Sequence, residues 1–144
     1  MRRLLLDVNV VLDVLLDRRP HVEASGAVWA AIERGQAQGV LAAHAVTTIH
    51  YLVRREQGAA RARGTIAAIL QVFGVAPVDQ KVVQGALQLA WHDFEDSATA
   101  AAAELAGCHA LVTRDPRGFP ASPVRVISPE EAAALLSHGS DMDG

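Results

Sequence analysis

The apolar residues of this chain fall into two alternating patterns: short unbroken runs, and longer stretches in which apolar positions recur at helical spacing. Arg3–Leu6 reads as a short buried strand leading into a helix around Asn9–Leu16, which Arg18-Arg19-Pro20 breaks. A second helix is predicted from about His21 to Arg34 and stops at Gly35. Gly39–Ala43 is a second strand. Ala45–Arg55 carries Val46, Ile49, Leu52 and Val53 at helical spacing, and Gly58 separates it from a helix near Ala59–Gln71. Val72–Ala76 is a third strand, ended by Pro77. Asp79 is a candidate N-cap for a helix over Gln80–Trp91, and another helix runs from near Phe94 to near Gly107. His109–Thr113 and Val124–Ile127 are the fourth and fifth strands. In Ser128-Pro129-Glu130-Glu131, Ser at the cap, Pro at the first helical position and Glu at the third announce a last helix over Pro129–Ser137. Residues 139–144 read as a frayed tail.

Strands alternating with helices imply an α/β protein: three layers, α/β/α, around a central parallel sheet of about five short strands. The strands are short, apolar and rich in β-branched residues, as expected where helices cover both faces. No internal repeat and no linker divides the sequence, so one domain over residues 1–138 is expected.

Composition narrows the picture. Of 144 residues, 51% are hydrophobic and 20% charged, which favours a packed globule over a disordered chain. The net charge of -3 does not advertise nucleic-acid binding, although an enzyme acting on nucleic acid needs only a local basic patch. The single cysteine, Cys108, excludes an internal disulfide and a cysteine-rich zinc site, and reads as a small core residue in a reducing setting. The start, Met1–Leu6, superficially suggests a signal peptide, but Asp7, Asp13 and Asp17 interrupt its apolar character. No stretch approaches the ~18 apolar residues of a membrane span. A soluble, cytoplasmic protein is expected.

Candidate chemistry lies where the apolar runs end. Asp7 follows the first strand, and Asp13 and Asp17 come soon after it. Asp93, Glu95 and Asp96 open the helix before the fourth strand. Asp115 follows that strand. The carboxyl ends of strands are where open α/β sheets place their ligands. Three carboxylates meeting there would make a hard, oxygen-rich site suited to Mg²⁺ or Mn²⁺. Each acid also has a plainer reading: Asp7 as a helix cap, Asp93 as a cap with Asp96 at the third helical position, Asp115 as a turn residue before Pro116. Asn9 could hold the Asp7 carboxylate by hydrogen bonding, or equally be an ordinary first-turn residue. Glu95, rotated away from Asp96, could face solvent. Asp79, Glu130 and Glu131 read as structural caps. The six histidines show no zinc-like spacing.

Leu6-Asp7-Val8-Asn9-Val10-Val11-Leu12-Asp13, Asp93-Phe94-Glu95-Asp96 and Val112-Thr113-Arg114-Asp115 together resemble the PIN domain family, metal-dependent ribonucleases that include VapC-type toxins. The resemblance runs from Leu4 to Leu136, and each motif is weak alone. It implies a PIN-like domain over 1–138, with Asp7, Asp96 and Asp115 as catalytic metal ligands or metal-orienting residues. Asp93 and Glu95 are secondary candidates, with Asn9 and Thr48 supporting. Many PIN domains carry a further acid on the helix after strand two; Thr48 stands about there, and no acid occurs between Glu33 and Glu56. The resemblance further implies Mg²⁺ or Mn²⁺ as cofactor, RNA as substrate, a small antitoxin protein as partner, and a homodimer. Arg114 and Arg117, beside Asp115, are the best candidates for RNA phosphate contact.

Rival readings fit less well. A haloacid-dehalogenase-type phosphatase or a receiver module would want a well-placed lysine, and the only lysine, Lys81, is far from the acids in sequence. A nucleotide-binding turn would want glycine after strand one, where Asp7-Val8-Asn9 has none. A PIN-like domain that binds RNA or protein without cutting is the stronger alternative, supported by Thr48. Val28–Ile32 and Ile49–Val53 are apolar enough for a partner or dimer surface, though core packing explains them equally well. Trp29, Tyr51 and Trp91 read as core or interface anchors.

Overall fold

The computed structural model describes residues 1–137; the tail expected over 139–144 lies outside them. The chain runs β1 (Arg3–Leu6), α1 (Val8–Leu15), α2 (Val22–Glu33), β2 (Gln38–Ala42), α3 (Ala43–Gln57), α4 (Ala59–Ile69), β3 (Phe73–Ala76), α5 (Gln80–Leu89), α6 (Phe94–Leu105), β4 (Ala110–Val112), a 3-10 turn (Pro116–Gly118), β5 (Arg125–Ile127) and α7 (Pro129–Ser137). The five strands form one parallel sheet in the order β3-β2-β1-β4-β5. Among the described residues no helix is long and apolar enough to cross a membrane.

Alternate residues of β1 serve opposite faces. Leu4 and Leu6 join one core with α1, α2, α7 and the inward faces of α3 and α4; Leu5 joins a second with α5 and α6. The three-layer α/β/α expectation therefore holds. The second core is built largely of alanine: Ala98 and Ala100–Ala103 of α6 are all buried. Alanine is the best helix former, and its short side chain lets α6 lie close to the sheet. Gly39 shows the same closeness in the sheet. A Cβ there would lie 2.6 Å from the ring of Phe73, which packs edge-to-face on Trp29 with centroids 5.0 Å apart. Cys108 is buried, and burial pushes its thiol up to about 11, consistent with a core role.

Several boundaries differ from the sequence pattern for local reasons. β2 passes into α3 without a linker, because Ala42 stays extended and Ala43 already starts the helix. α5 ends before Trp91, because Ala90 takes a left-handed conformation (φ 55°). β4 is shorter than the apolar run, yet its flanks stay tied: the His109 amide donates to the Arg3 carbonyl, and the Thr113 amide to the Ile127 carbonyl. The cap at Asp79 forms as expected, accepting from the Val82 amide. So does the reciprocal capping box of Ser128 and Glu131.

Strand order positions the site. From β1 the chain builds outward to β2 and β3, then crosses back to add β4 on the other side of β1. The reversal leaves a crevice at the carboxyl ends of β1 and β4, which is where open α/β sheets bind ligands.

Candidate active site

Asp7 leaves the end of β1 and caps α1. Its Oδ1 accepts from the Val8 amide (2.9 Å), and its Oδ2 accepts from the Thr113 hydroxyl (2.9 Å). Its own amide donates to the Val112 carbonyl, which stitches it to β4. The residue is buried, and burial raises its carboxyl above the ordinary range despite both hydrogen bonds. Thr113 also accepts from the Asp115 amide (3.1 Å), so one hydroxyl ties the acid after β1 to the acid after β4.

Asp93 caps α6, with its Oδ1 accepting from the Asp96 amide (3.2 Å). Glu95 and Asp96 therefore sit in the first turn, at the positive end of the helix dipole. The dipole does not offset crowding: burial first, then the charges of Asp93, Asp7, Asp115 and Glu95, push the Asp96 carboxyl up to about 6. Asp115 lies on the exposed rim. Gly118, in the 3-10 turn, stands between two of these acids: a Cβ there would lie 3.2 Å from Asp96 Oδ2 and 3.4 Å from Asp115 Oδ2.

These segments enclose a cavity of about 260 Å³ whose walls include Asp7, Asn9, Thr48, Asp93, Glu95, Asp96 and Asp115. The sequence thus names most of the acidic wall, including Glu95, which is exposed but faces the cavity. The structure places the other polar residues singled out from the sequence as follows. Asn9 lines the cavity, but the hydrogen bond that holds Asp7 comes from Thr113. Asp13 lies outside the cavity wall, fully buried on α1, with Oδ2 accepting from Ser25 Oγ (3.0 Å) and Arg114 Nε (2.8 Å). Asp17 is exposed, left-handed (φ 49°) and 3.7 Å from Arg19, away from the cavity wall. Arg114 thus has its Nε committed to Asp13, while Arg117 is exposed on the 3-10 turn.

Residues not singled out from sequence complete the wall. His44 opens α3 with Nε2 3.2 Å from Thr99 Oγ1, and among the described residues its buried Nδ1 has no partner. Phe119 closes the floor against Trp91, edge-to-face at 5.7 Å. Thr113 and His44 could have been found by the signal that found Asp7, since each lies just past a strand's carboxyl end. The Thr48 hydroxyl donates back to the His44 carbonyl at a long 3.4 Å.

The donor set suits a hard divalent cation. Carboxylates that raise one another's proton affinity would be relieved by a metal charge, and Mg²⁺ is commonly held through one or two carboxylates plus water. Among the described residues, no three acidic, histidine or cysteine side chains come together as a group that could hold a metal ion by themselves. The fit is therefore to a cation bound partly through water rather than in an all-protein cage.

The family model for the PIN domain matches residues 3–117. The chain belongs to the PIN domain family. Solved structures with the same fold include a toxin–antitoxin complex from Klebsiella pneumoniae, 20% identical, TM-score 0.65, covering 87% of this chain and 96% of that one. FitAcB from Neisseria gonorrhoeae is 22% identical with TM-score 0.62, covering 88% and 97%. VapC20 of Mycobacterium tuberculosis, a toxin that cleaves the sarcin-ricin loop, is 19% identical with TM-score 0.60, covering 75% and 86%. No curated protein matches this sequence. In this PIN domain the acidic cavity sits at the strand-order reversal between β1 and β4.

Proposed function

We propose that this PIN domain is a Mg²⁺- or Mn²⁺-dependent endoribonuclease, the toxin of a toxin–antitoxin pair. The observation that carries the reading is the gathering of Asp7, Asp96 and Asp115, from three separate segments, around one cavity. Asp96 and Asp115 offer oxygens on either side of Gly118, and Asp7 offers the remaining lone pairs of a carboxylate fixed by Val8 and Thr113. Asp93 and Glu95 add negative charge that attracts a cation. When bound, the metal supplies a water of lowered pKa and neutralises charge on the phosphodiester.

The protein's own side chains do the rest. Arg117 and the outer guanidinium nitrogens of Arg114 attract RNA phosphates to the rim. Thr113 keeps Asp7 oriented and holds the Asp115 backbone. Phe119 and Ala42 add apolar surface to the cavity wall. The solved relatives that are toxin–antitoxin complexes support an antitoxin protein as partner; that it blocks this cavity, and that the chain is a homodimer, are part of the proposal.

Cleavage of a mixed RNA pool tests the reading. Wild-type protein should cut only with Mn²⁺ or Mg²⁺, and Asp7→Asn, equally folded, should not. A second reading, a PIN domain that binds RNA or protein without cutting, is favoured by neutral Thr48 and by the lack, among the described residues, of a group that could hold a metal ion by itself. It predicts RNA retention by wild type with no metal-dependent cleavage.

A further inference from the structure

Among the described residues Asp13 is the most deeply buried acid, with no exposed surface, and it takes no part in the cavity wall. Both of its recorded partners meet at Oδ2: Ser25 Oγ on α2 at 3.0 Å, and Arg114 Nε at 2.8 Å. Oδ1 is buried with no partner among the described residues. A buried carboxylate left half-satisfied is an expensive way to pack two helices, since an apolar pair of the same volume often does as well or better. Among the described residues its one cationic partner is Arg114, between Thr113 and Asp115. We infer that Asp13 is a positioning residue for Asp115, acting through Arg114 to fix the strand-to-turn segment that carries it.

The neighbouring tethers show why this contact matters. Residue 113 is held by its amide on Ile127 and its hydroxyl on Asp7. Asp115 is held through its backbone alone, its amide on Thr113 and its carbonyl accepting from the Gly118 amide at 3.1 Å. Asp115 itself is on the exposed rim, where its carboxylate lies across Gly118 from Asp96. Arg114 is the side chain of this stretch that reaches α1, through its bond to buried Asp13. Asp13 and Ser25 are its anchor, so α1 and α2 hold the segment from below while Thr113 holds it from the side. Misplacement of a metal-binding carboxylate by a lost supporting hydrogen bond typically weakens metal binding about 10–100-fold.

The inference rests on the proposed cation site, and its test separates the two. The readout is the Mn²⁺ concentration that half-saturates the folded protein in isothermal calorimetry, a binding midpoint that needs no RNA, with Tm followed beside it. It is compared among wild type, Asp13→Asn, and the Asp13→Asn, Arg114→Met double variant. Asp13→Asn should lower the metal-free Tm and weaken the Mn²⁺ midpoint at least about tenfold. The double variant removes both charges, so its metal-free Tm should recover towards wild type while the midpoint stays weak. Loss of the Arg114 charge cannot itself explain a weaker midpoint. That charge is positive and stands near the cavity acids, so its removal does not make the site less attractive to a cation. If Asp13→Asn does not fold, the double variant alone carries the comparison. Recovery of the midpoint together with Tm would reduce the pair to packing and overturn the inference. So would a midpoint unmoved in either variant. A wild type without any Mn²⁺-induced rise in Tm would instead overturn the cation site, and the positioning role with it.

Discussion

Asp7 must cap a helix and face a ligand cavity at once, and its two oxygens divide that burden between a backbone amide and the Thr113 hydroxyl. Thr113 is therefore the side chain whose loss should be felt most widely. Thr113→Val keeps the shape but leaves Asp7 Oδ2 and the Asp115 amide without their partner. The expected cost is about 1–3 kcal/mol in thermal or denaturant unfolding, recovered in Thr113→Ser. Asp96 makes a prediction with a defined sign. Its folded-state carboxyl sits at about 6 against an ordinary 3.8, so the folded state holds this proton more tightly than the unfolded chain. That contribution is fully present below about pH 4 and is lost as pH rises through about 6. Metal-free protein should thus lose less Tm between pH 5 and 7 in Asp96→Asn than in wild type. The Mn²⁺-induced rise in wild-type Tm should grow over the same window, because cation and proton compete for the same carboxylates. A metal effect equal at pH 5 and 7 would contradict this.

At the scale of elements, the close packing of small residues makes two further predictions. Gly39→Ala would drive a methyl into the Phe73 ring, which is pinned against Trp29, and should destabilise by about 1–3 kcal/mol in denaturant unfolding. Gly118→Ala should act differently. A methyl 3.2 Å from Asp96 Oδ2 and 3.4 Å from Asp115 Oδ2 displaces carboxylates rather than a core, so it should weaken the Mn²⁺ midpoint several-fold while leaving metal-free Tm nearly unchanged. Elements of this kind were unevenly legible in the sequence. The strands and the caps at Asp79, Asp93 and Ser128 could be read directly, because unbroken apolar runs and capping residues are local signals. The 3-10 turn at Pro116–Gly118 could not, since its form follows from Asp115 being held back against Thr113. The role of Asp13 was equally hidden. Its partners Ser25 and Arg114 lie 12 and 101 residues away, and only the folded chain brings them together.

Over the whole molecule, function depends on strand order more than on any single motif. Each acid is explicable alone as a cap or a turn residue, and several do cap. What the sequence pattern anticipated was that they follow strands or open a helix at one sheet edge. What it could not supply was the placement of β4 beside β1, which turns acids remote in sequence into one cavity wall. The hydroxyl that holds Asp7 was hidden for the same reason: Thr113 is 106 residues away. The most direct test of the cavity as a divalent-cation site is anomalous diffraction from crystals of the full chain soaked in Mn²⁺. The account predicts an anomalous peak inside the cavity, with carboxylate oxygens of Asp96 or Asp115 at about 2.1 Å and waters completing the shell. A cavity without a peak at saturating Mn²⁺, or a peak only at acids outside it, would contradict the account.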